Sequence, residues 1–243
     1  MAENKGRIFV TGIGPGDEKY MTGQALEALE QADLIVGYTV YINLLPERFR
    51  SKDTYATGMG GEKERCSHAV DCALSGRKVA VVCSGDPGVY GMASLILQMA
   101  PPDEVDITII PGVTAALSGA SLLGSPIGTD HALISLSTAL TPWDIISSRL
   151  EHAARGDFAL VLYNPMSRTR PDTLRMACDI IAGQTGWDRA AGYARNIGRE
   201  GREAAVCSLK DLRDMELDMF TTVFIGSSAT EIKDGKMITG RKY

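Results

Sequence analysis

The sequence predicts an α/β protein built as two α/β domains, and three observations carry that expectation. Short apolar runs rich in β-branched residues alternate with segments whose apolar residues recur at helical spacing. Many of the apolar runs close on glycine or proline, as buried strands that end in turns do. The alternation is interrupted at residues 121–132, SLLGSPIGTDHA, where Gly, Ser, Pro, Thr and Asp set an expected boundary between domains at 1–125 and 126–243.

Taken in order, RIFVTGI at 7–13 reads as a buried strand. Tyr20, Ala25, Leu26, Leu29 and Ala32 then share one face of an amphipathic helix. DLIVGY at 33–38 is a second strand. In the helix over 62–76, Cys66, Ala69, Val70, Ala73 and Leu74 line one face and Gly76 is the stop. KVAVVCSG at 78–85 is a strand, ASLILQM at 93–99 a helix and VDITIIPG at 105–112 a strand again. Beyond the break come strand ALISLS, helix WDIISSRLEHAARG, strand FALVLYN and helix DTLRMACDIIAGQ. Strands AAGYARNI, REAAVCSL and TTVFIG then follow one another with no helical pattern between them, which requires a mixed sheet.

Composition narrows the function classes. The 243 residues carry a net charge of −5, and the sequence pI is near 5.3. No basic block forms the electrostatic footprint of a nucleic-acid binder, so no nucleic-acid partner is expected. The N-terminus reads into a strand without an apolar leader, and no apolar run reaches the roughly 18 residues of a membrane span, so a cytoplasmic protein with no membrane partner is expected. The five cysteines, Cys66, Cys72, Cys83, Cys178 and Cys207, form no C-x-x-C pair and read as small buried hydrophobes. His68, His131 and His152 lack ligand spacing, and no built-in metal site is expected.

The chemistry concentrates in three turns that follow strands. GIGPGD, residues 12–17, has neither the lysine nor the hydroxyl of a triphosphate loop. Nor does it have the spacing of a dinucleotide fingerprint: the available acid, Asp33, opens the second strand, whereas a ribose would lie at the far end by Gly37 and Tyr38. Taken alone, the turn is equally readable as a tight strand-to-helix connection with Asp17 as a cap. CSGDPGVYG, residues 83–91, repeats the pattern with the acid Asp86, and IPGVTAA, residues 110–116, repeats it without one. Because ligands of open α/β sheets bind beyond the carboxyl ends of strands, the three turns are expected to line one pocket. One carboxylate, small residues and no arginine cluster suit a flat base with ribose hydroxyls and a positive charge better than a polyphosphate.

GIGPGD, SGDPGVYG and PGVTAA, in this order, resemble the signature of the tetrapyrrole methyltransferases. VGYTVYINLL, TPWDIISSRL, LYNPMSRTRPDTL and ARNIGREGREAAVCSL resemble the branch of that family that methylates carbon 17 of a precorrin ring, metal-free or cobalt-loaded. The resemblance spans residues 7–228. It implies two α/β domains of the class III methyltransferase type, with S-adenosylmethionine in the cleft between them. By matched position, Gly85, Asp86, Val89, Thr114, Ala115, Asn164, Arg195 and Thr222 would surround the cofactor, with Asp86 accepting from its hydroxyls or ammonium; the other reading of Asp86 is a helix cap. Pro15, Gly16 and Asp17 would face the macrocycle and the reacting methyl.

The implied substrate is an anionic tetrapyrrole whose carboxylates call for Arg168, Arg170 and Arg199, with Arg195 and Arg202 as further candidates. The implied reaction is methyl transfer coupled to ring contraction in cobalamin biosynthesis, by a homodimer. Asp17, Ser84 and His131 are candidates for the proton transfers, without assigned roles. Three alternatives stay open: a sister enzyme acting at another ring carbon, a nicotinamide dehydrogenase, and a carrier that binds the ring without changing it.

Overall fold

The computed structural model describes residues 5–241. The chain divides into two compact units, the first ending at Thr114 and the second beginning at Ala115.

In the first unit the chain runs through β1 (Gly6–Gly12), α1 (Gly23–Gln31), β2 (Leu34–Tyr38), α2 (Thr39–Ile42), α3 (Glu47–Arg50), β3 (Asp53–Thr57), α4 (Glu62–Leu74), β4 (Lys78–Cys83), α5 (Ala93–Met99) and β5 (Val105–Ile110). The strands pair in the order β3-β2-β4-β1-β5, all in parallel. Both faces are buried, and the side-chain period of two shows it: Val79, Val81 and Cys83 pack with α4 and α5, while Ala80 and Val82 pack with Leu29, Ile42 and Phe49 on the other side. That is why these strands read as continuous apolar runs. The chain leaves β1 toward β2 on one side and leaves the neighbouring β4 toward β5 on the other, so its direction of travel reverses between adjacent strands.

The second unit comprises α6 (Ala115–Leu123), β6 (Gly124–Ser125), β7 (His131–Ser135), α7 (Trp143–Arg155), β8 (Ala159–Tyr163), α8 (Thr173–Thr185), β9 (Ala190–Arg195), β10 (Glu203–Ser208), α9 (Leu209–Leu212), β11 (Thr221–Ile225), β12 (Thr230–Lys233) and β13 (Lys236–Thr239). Its main sheet has the order β10-β9-β11-β8-β7, in which β7 and β8 are parallel and every other pair is antiparallel. Mixed pairing follows because β9 turns directly into β10, and only the four-residue α9, which the sequence pattern did not show, separates β10 from β11. Leu160, Leu162, Val223 and Ile225 face α7 and α8, and Val161 and Phe224 face α6.

Three features depart from the sequence expectations. The unit boundary falls before α6 rather than after residue 125, because Ala116, Ala120 and Leu123 bury against Val161, Ala194 and Phe224 of the second sheet. The small-residue run at 121–132 therefore links α6 to β7 inside the second unit. The amphipathic helix starts at Gly23, capped by the Thr22 hydroxyl accepting from Ala25 N–H at 3.1 Å, and Tyr20 belongs to a separate 3₁₀ turn over Glu18–Tyr20. Finally, β3, a small sheet of β12, β13 and β6, and the four-residue helices α2, α3 and α9 are additional. The β12–β13 hairpin turns at Asp234 and Gly235, with φ of 51° and 70°, the chemistry that an Asp-Gly pair signals. Among the described residues no helix is long and apolar enough to cross a membrane.

Candidate functional site

The three glycine turns leave the carboxyl ends of three adjacent strands, β4, β1 and β5, and the structure ties them together through backbone. Gly14 and Gly85 exchange both main-chain hydrogen bonds, with Gly85 N–H donating to Gly14 O at 2.7 Å and Gly14 N–H to Gly85 O at 3.2 Å. Both residues are left-handed, φ 71° and 70°, a region that glycine enters without Cβ penalty. The crossing with the third turn is closer still. A Cβ on Gly112 would stand 2.1 Å from Gly85 O, and one on Gly12 2.7 Å from Gly112 N. Glycine is required there by contact, whatever ligand is bound.

Asp86 locks the same crossing. Its Oδ1 accepts from Gly88 N–H at 2.8 Å, which makes the turn within its own loop, and its Oδ2 accepts from Gly112 N–H at 3.0 Å, which fixes the second loop to the third. Hydrogen bonds to a charged acceptor are worth about 1.5–3 kcal/mol each. Val89 N–H donates to Asp86 O at 3.3 Å, so this expected cofactor neighbour is part of the same turn. Pro15 and Gly16 are buried behind the Gly14 pair, and Asp17 is exposed. The Asp17 carboxylate accepts from Lys19 N–H at 3.1 Å and pairs with Lys19 Nζ at 3.1 Å, and these contacts hold its pKa below the usual carboxylate range. It caps the 3₁₀ turn; Thr22 caps α1. Ser84 reaches Gly14 O at 3.5 Å, and Thr114, almost fully buried, is the last residue of this unit.

In the second unit the remaining candidates also share one end of a sheet. Tyr163 and Ala194 are the neighbours of Thr222 on either side, and Asn164 and Arg195 lie at the carboxyl ends of their strands. Asn164 takes φ 54° and donates from Nδ2 to Ser135 Oγ at 3.0 Å. Arg170 reaches back from the loop after β8 and donates to Leu136 O at 2.8 Å, stapling that loop to the end of β7; burial lowers its pKa. Arg195 donates to Glu216 O at 3.1 Å and to Thr221 Oγ1 at 3.3 Å, and it pairs with Glu203 at 3.4 Å and Asp218 at 3.6 Å. Arg168 is exposed, and the Arg199 guanidinium lies 5.6 Å from the centre of the Phe220 ring. Ala115 opens α6, and the next amide, Ala116 N–H, donates to Tyr163 Oη at 2.9 Å, an anchor with no counterpart among the sequence candidates. His131 stands at the opposite, N-terminal end of β7, with Nδ1 3.2 Å from Thr129 O.

Two groupings result. In the first unit Gly85, Asp86 and Val89 come together with Gly14, Pro15 and Gly16. In the second, Asn164, Arg195, Thr222 and the Arg170 loop come together. Of the five cysteines, Cys83 begins the second glycine turn, with its carbonyl accepting from Ile13 N–H at 2.9 Å, and the other four lie elsewhere; Cys83 and Cys178 are buried, and burial pushes both thiols up to about 12.

Comparison with known proteins follows the same pattern. The family model described as Tetrapyrrole (Corrin/Porphyrin) Methylases matches residues 7–213. A protein of Salmonella typhimurium named "Probable cobalt-factor III C(17)-methyltransferase" is 40% identical over 97% of this chain and 99% of its own length. One of Sinorhizobium sp, named "Precorrin-3B C(17)-methyltransferase", is 36% identical over 95% of this chain and 93% of its own. The crystal structure of the methyltransferase CobJ superposes with a TM-score of 0.89 at 37% identity, covering 97% of this chain and all of that one. With the family match spanning most of its length and the turns of that signature assembled on one sheet, this chain belongs to the tetrapyrrole (corrin/porphyrin) methylases.

Proposed function

We propose that this chain transfers the sulfonium methyl of S-adenosylmethionine to carbon 17 of a precorrin-type ring, with contraction of the macrocycle, in cobalamin biosynthesis. The observation that carries the reading is the end-to-end likeness to proteins named as C(17)-methyltransferases, together with the shared fold of a solved methyltransferase, CobJ. The loops suit the cofactor chemically: residues 12–16, 83–91 and 110–114 supply a carboxylate, small side chains and backbone polar groups, and contain no lysine or arginine. That donor set favours a cation over a polyphosphate.

Gly85, Asp86, Val89, Thr114 and Ala115 would hold the nucleoside, with Asn164, Arg195 and Thr222 from the second sheet. When bound, S-adenosylmethionine supplies an electrophilic methyl group. The protein's part is geometric. Asp86, by bonding Gly88 and Gly112, spaces two loops whose backbone then cannot drift, and holding reactants in near-attack geometry contributes roughly 7–11 kcal/mol in well-oriented systems. Asp17, held below the usual carboxylate range by Lys19, is ionised near neutral pH and is no proton donor there. Arg168, Arg199 and Arg202 are the candidates for the substrate's carboxylates, whereas Arg170 and Arg195 already bind protein acceptors. A homodimer, which rests on the resemblance alone, and a cytoplasmic location belong to the same reading.

The test is incubation with methyl-labelled S-adenosylmethionine and, in separate arms, cobalt-factor III and precorrin-3B. Label at carbon 17 of the ring is expected, and the arm that turns over faster identifies the metal state. Label at a different carbon assigns a sister enzyme; ring binding without label assigns a carrier; tight NADH binding revives the dehydrogenase.

A further inference from the structure

Five non-glycine residues adopt positive φ among the described residues; Asp157, Asn164, Asn196 and Asp234 are types that tolerate it, and the fifth is Tyr90, φ 56°. A bulky aromatic in the left-handed region is strained, and such strain persists where the surroundings over-determine it. They do so here. Asp86 clamps the start of the turn, Ala93 N–H donates to Pro87 O at 3.1 Å, and a Cβ on Gly91 would stand 2.6 Å from the same carbonyl. The chain thus folds back over Pro87, and residue 90 is forced to the left-handed side.

The strained residue does not bury its ring. Tyr90 is 55% exposed, and it is the one exposed large apolar side chain in the three glycine turns. Elsewhere in these turns the accessible surface is backbone, glycine, the small side chains of Ser84, Val89, Pro111 and Val113, and the carboxylates of Asp17 and Asp86, none of which offers a broad flat face. A flat conjugated macrocycle needs an apolar face to lie against, and among the residues of this loop cluster the Tyr90 ring is suited to provide it.

We propose that Tyr90 is a positioning residue on which the tetrapyrrole ring stacks, held outward by a backbone conformation that a folding-optimised sequence would avoid. The inference rests on the substrate class of the proposed function and deepens it.

Its test uses the full chain with Tyr90→Asn, Tyr90→Gly and Tyr90→Phe. The first two relieve the backbone and remove the ring; the third keeps the ring. Three quantities are measured: melting temperature, the Kd of uroporphyrin as a ring probe by absorbance titration, and KM for ring substrate and methyl donor separately. Expected are an unchanged or higher melting temperature for the Asn and Gly variants, and a rise of about tenfold in uroporphyrin Kd and in KM for the ring substrate. KM for S-adenosylmethionine stays constant, and Phe restores wild-type values. A melting temperature that falls by several degrees in both relieved variants makes the ring a packing element and overturns the inference. So does a rise confined to the KM of the methyl donor. Wild-type turnover that ignores Tyr90 overturns it while leaving the methyltransferase reading standing. Tyr90-dependent uroporphyrin binding without any methyl transfer supports it and removes the methyltransferase reading instead.

Discussion

At residue scale, glycine does two different jobs in this chain, and substitution separates them. Gly112 sits where three backbones cross, so Gly112→Ala places a methyl group 2.1 Å from Gly85 O and the second and third loops must part. Its Asp86 hydrogen bond is lost with them, and the expected outcome is a destabilisation of about 2–4 kcal/mol, with kcat/KM falling at least tenfold. Gly23 opens α1 with nothing within 4 Å of its absent Cβ. Gly23→Ala is expected to stabilise by about 0.5–1 kcal/mol and leave activity intact. Thermal melts of the two variants check both signs; equal effects would mean that the crossing is looser than drawn. Both glycines are plain in the sequence, but the difference between them is not, because it depends on Gly85 and Gly12, which lie 27 and 100 positions before Gly112, and not on local turn preference.

At the scale of elements, α8 is joined to the end of α9 by Arg213, whose Nε and Nη2 reach Asp179 at 2.6 and 3.1 Å. Hydrogen bonding to this guanidinium holds the Asp179 pKa below the ordinary carboxylate value. A carboxylate whose folded pKa is depressed stabilises above its unfolded pKa and loses that contribution as pH falls through the folded one. Asp179→Asn should therefore be less stable than the parent at pH 7, by at most about 1 kcal/mol for so exposed a pair. The gap should close as pH drops below about 4 and shrink as salt is added. Urea titrations at pH 7 and pH 3 measure it, and a gap that widens in acid contradicts the assignment. Helical periodicity placed α8 and most other elements correctly, since an amphipathic face of 13 residues is a strong local signal. The ion pair had no such signal, because its partners lie 34 positions apart.

At the scale of the molecule, each unit has its own hydrophobic core, and buried cysteines report on both. Cys66 and Cys83 lie in the core of the first unit, Cys178 in that of the second. Burial raises Cys66 to about 11 and Cys83 and Cys178 to about 12, so at pH 8 they are protonated as well as shielded, and each reacts only when its unit opens. Maleimide labelling of Cys83 and Cys178 across a urea series is expected to follow two separate curves. Coincident curves would mean that the two units unfold as one.

The sequence by itself determined the alternation of strands and helices, the mixed second sheet, the family and the three turns that carry its signature. These are written in periodicity, in residue types and in short contiguous motifs, all of which survive without a third dimension. Tertiary structure decided the rest: that α6 belongs to the second sheet, that Asp86 spends both oxygens on backbone amides, that Arg170 and Arg195 answer to carbonyls and carboxylates of the protein itself, and that Tyr90 is held in a conformation its side chain resists. Each of these turns on which groups from distant parts of the chain fall within about 3 Å of one another. A sequence lists the donors and acceptors, but folding chooses the pairs.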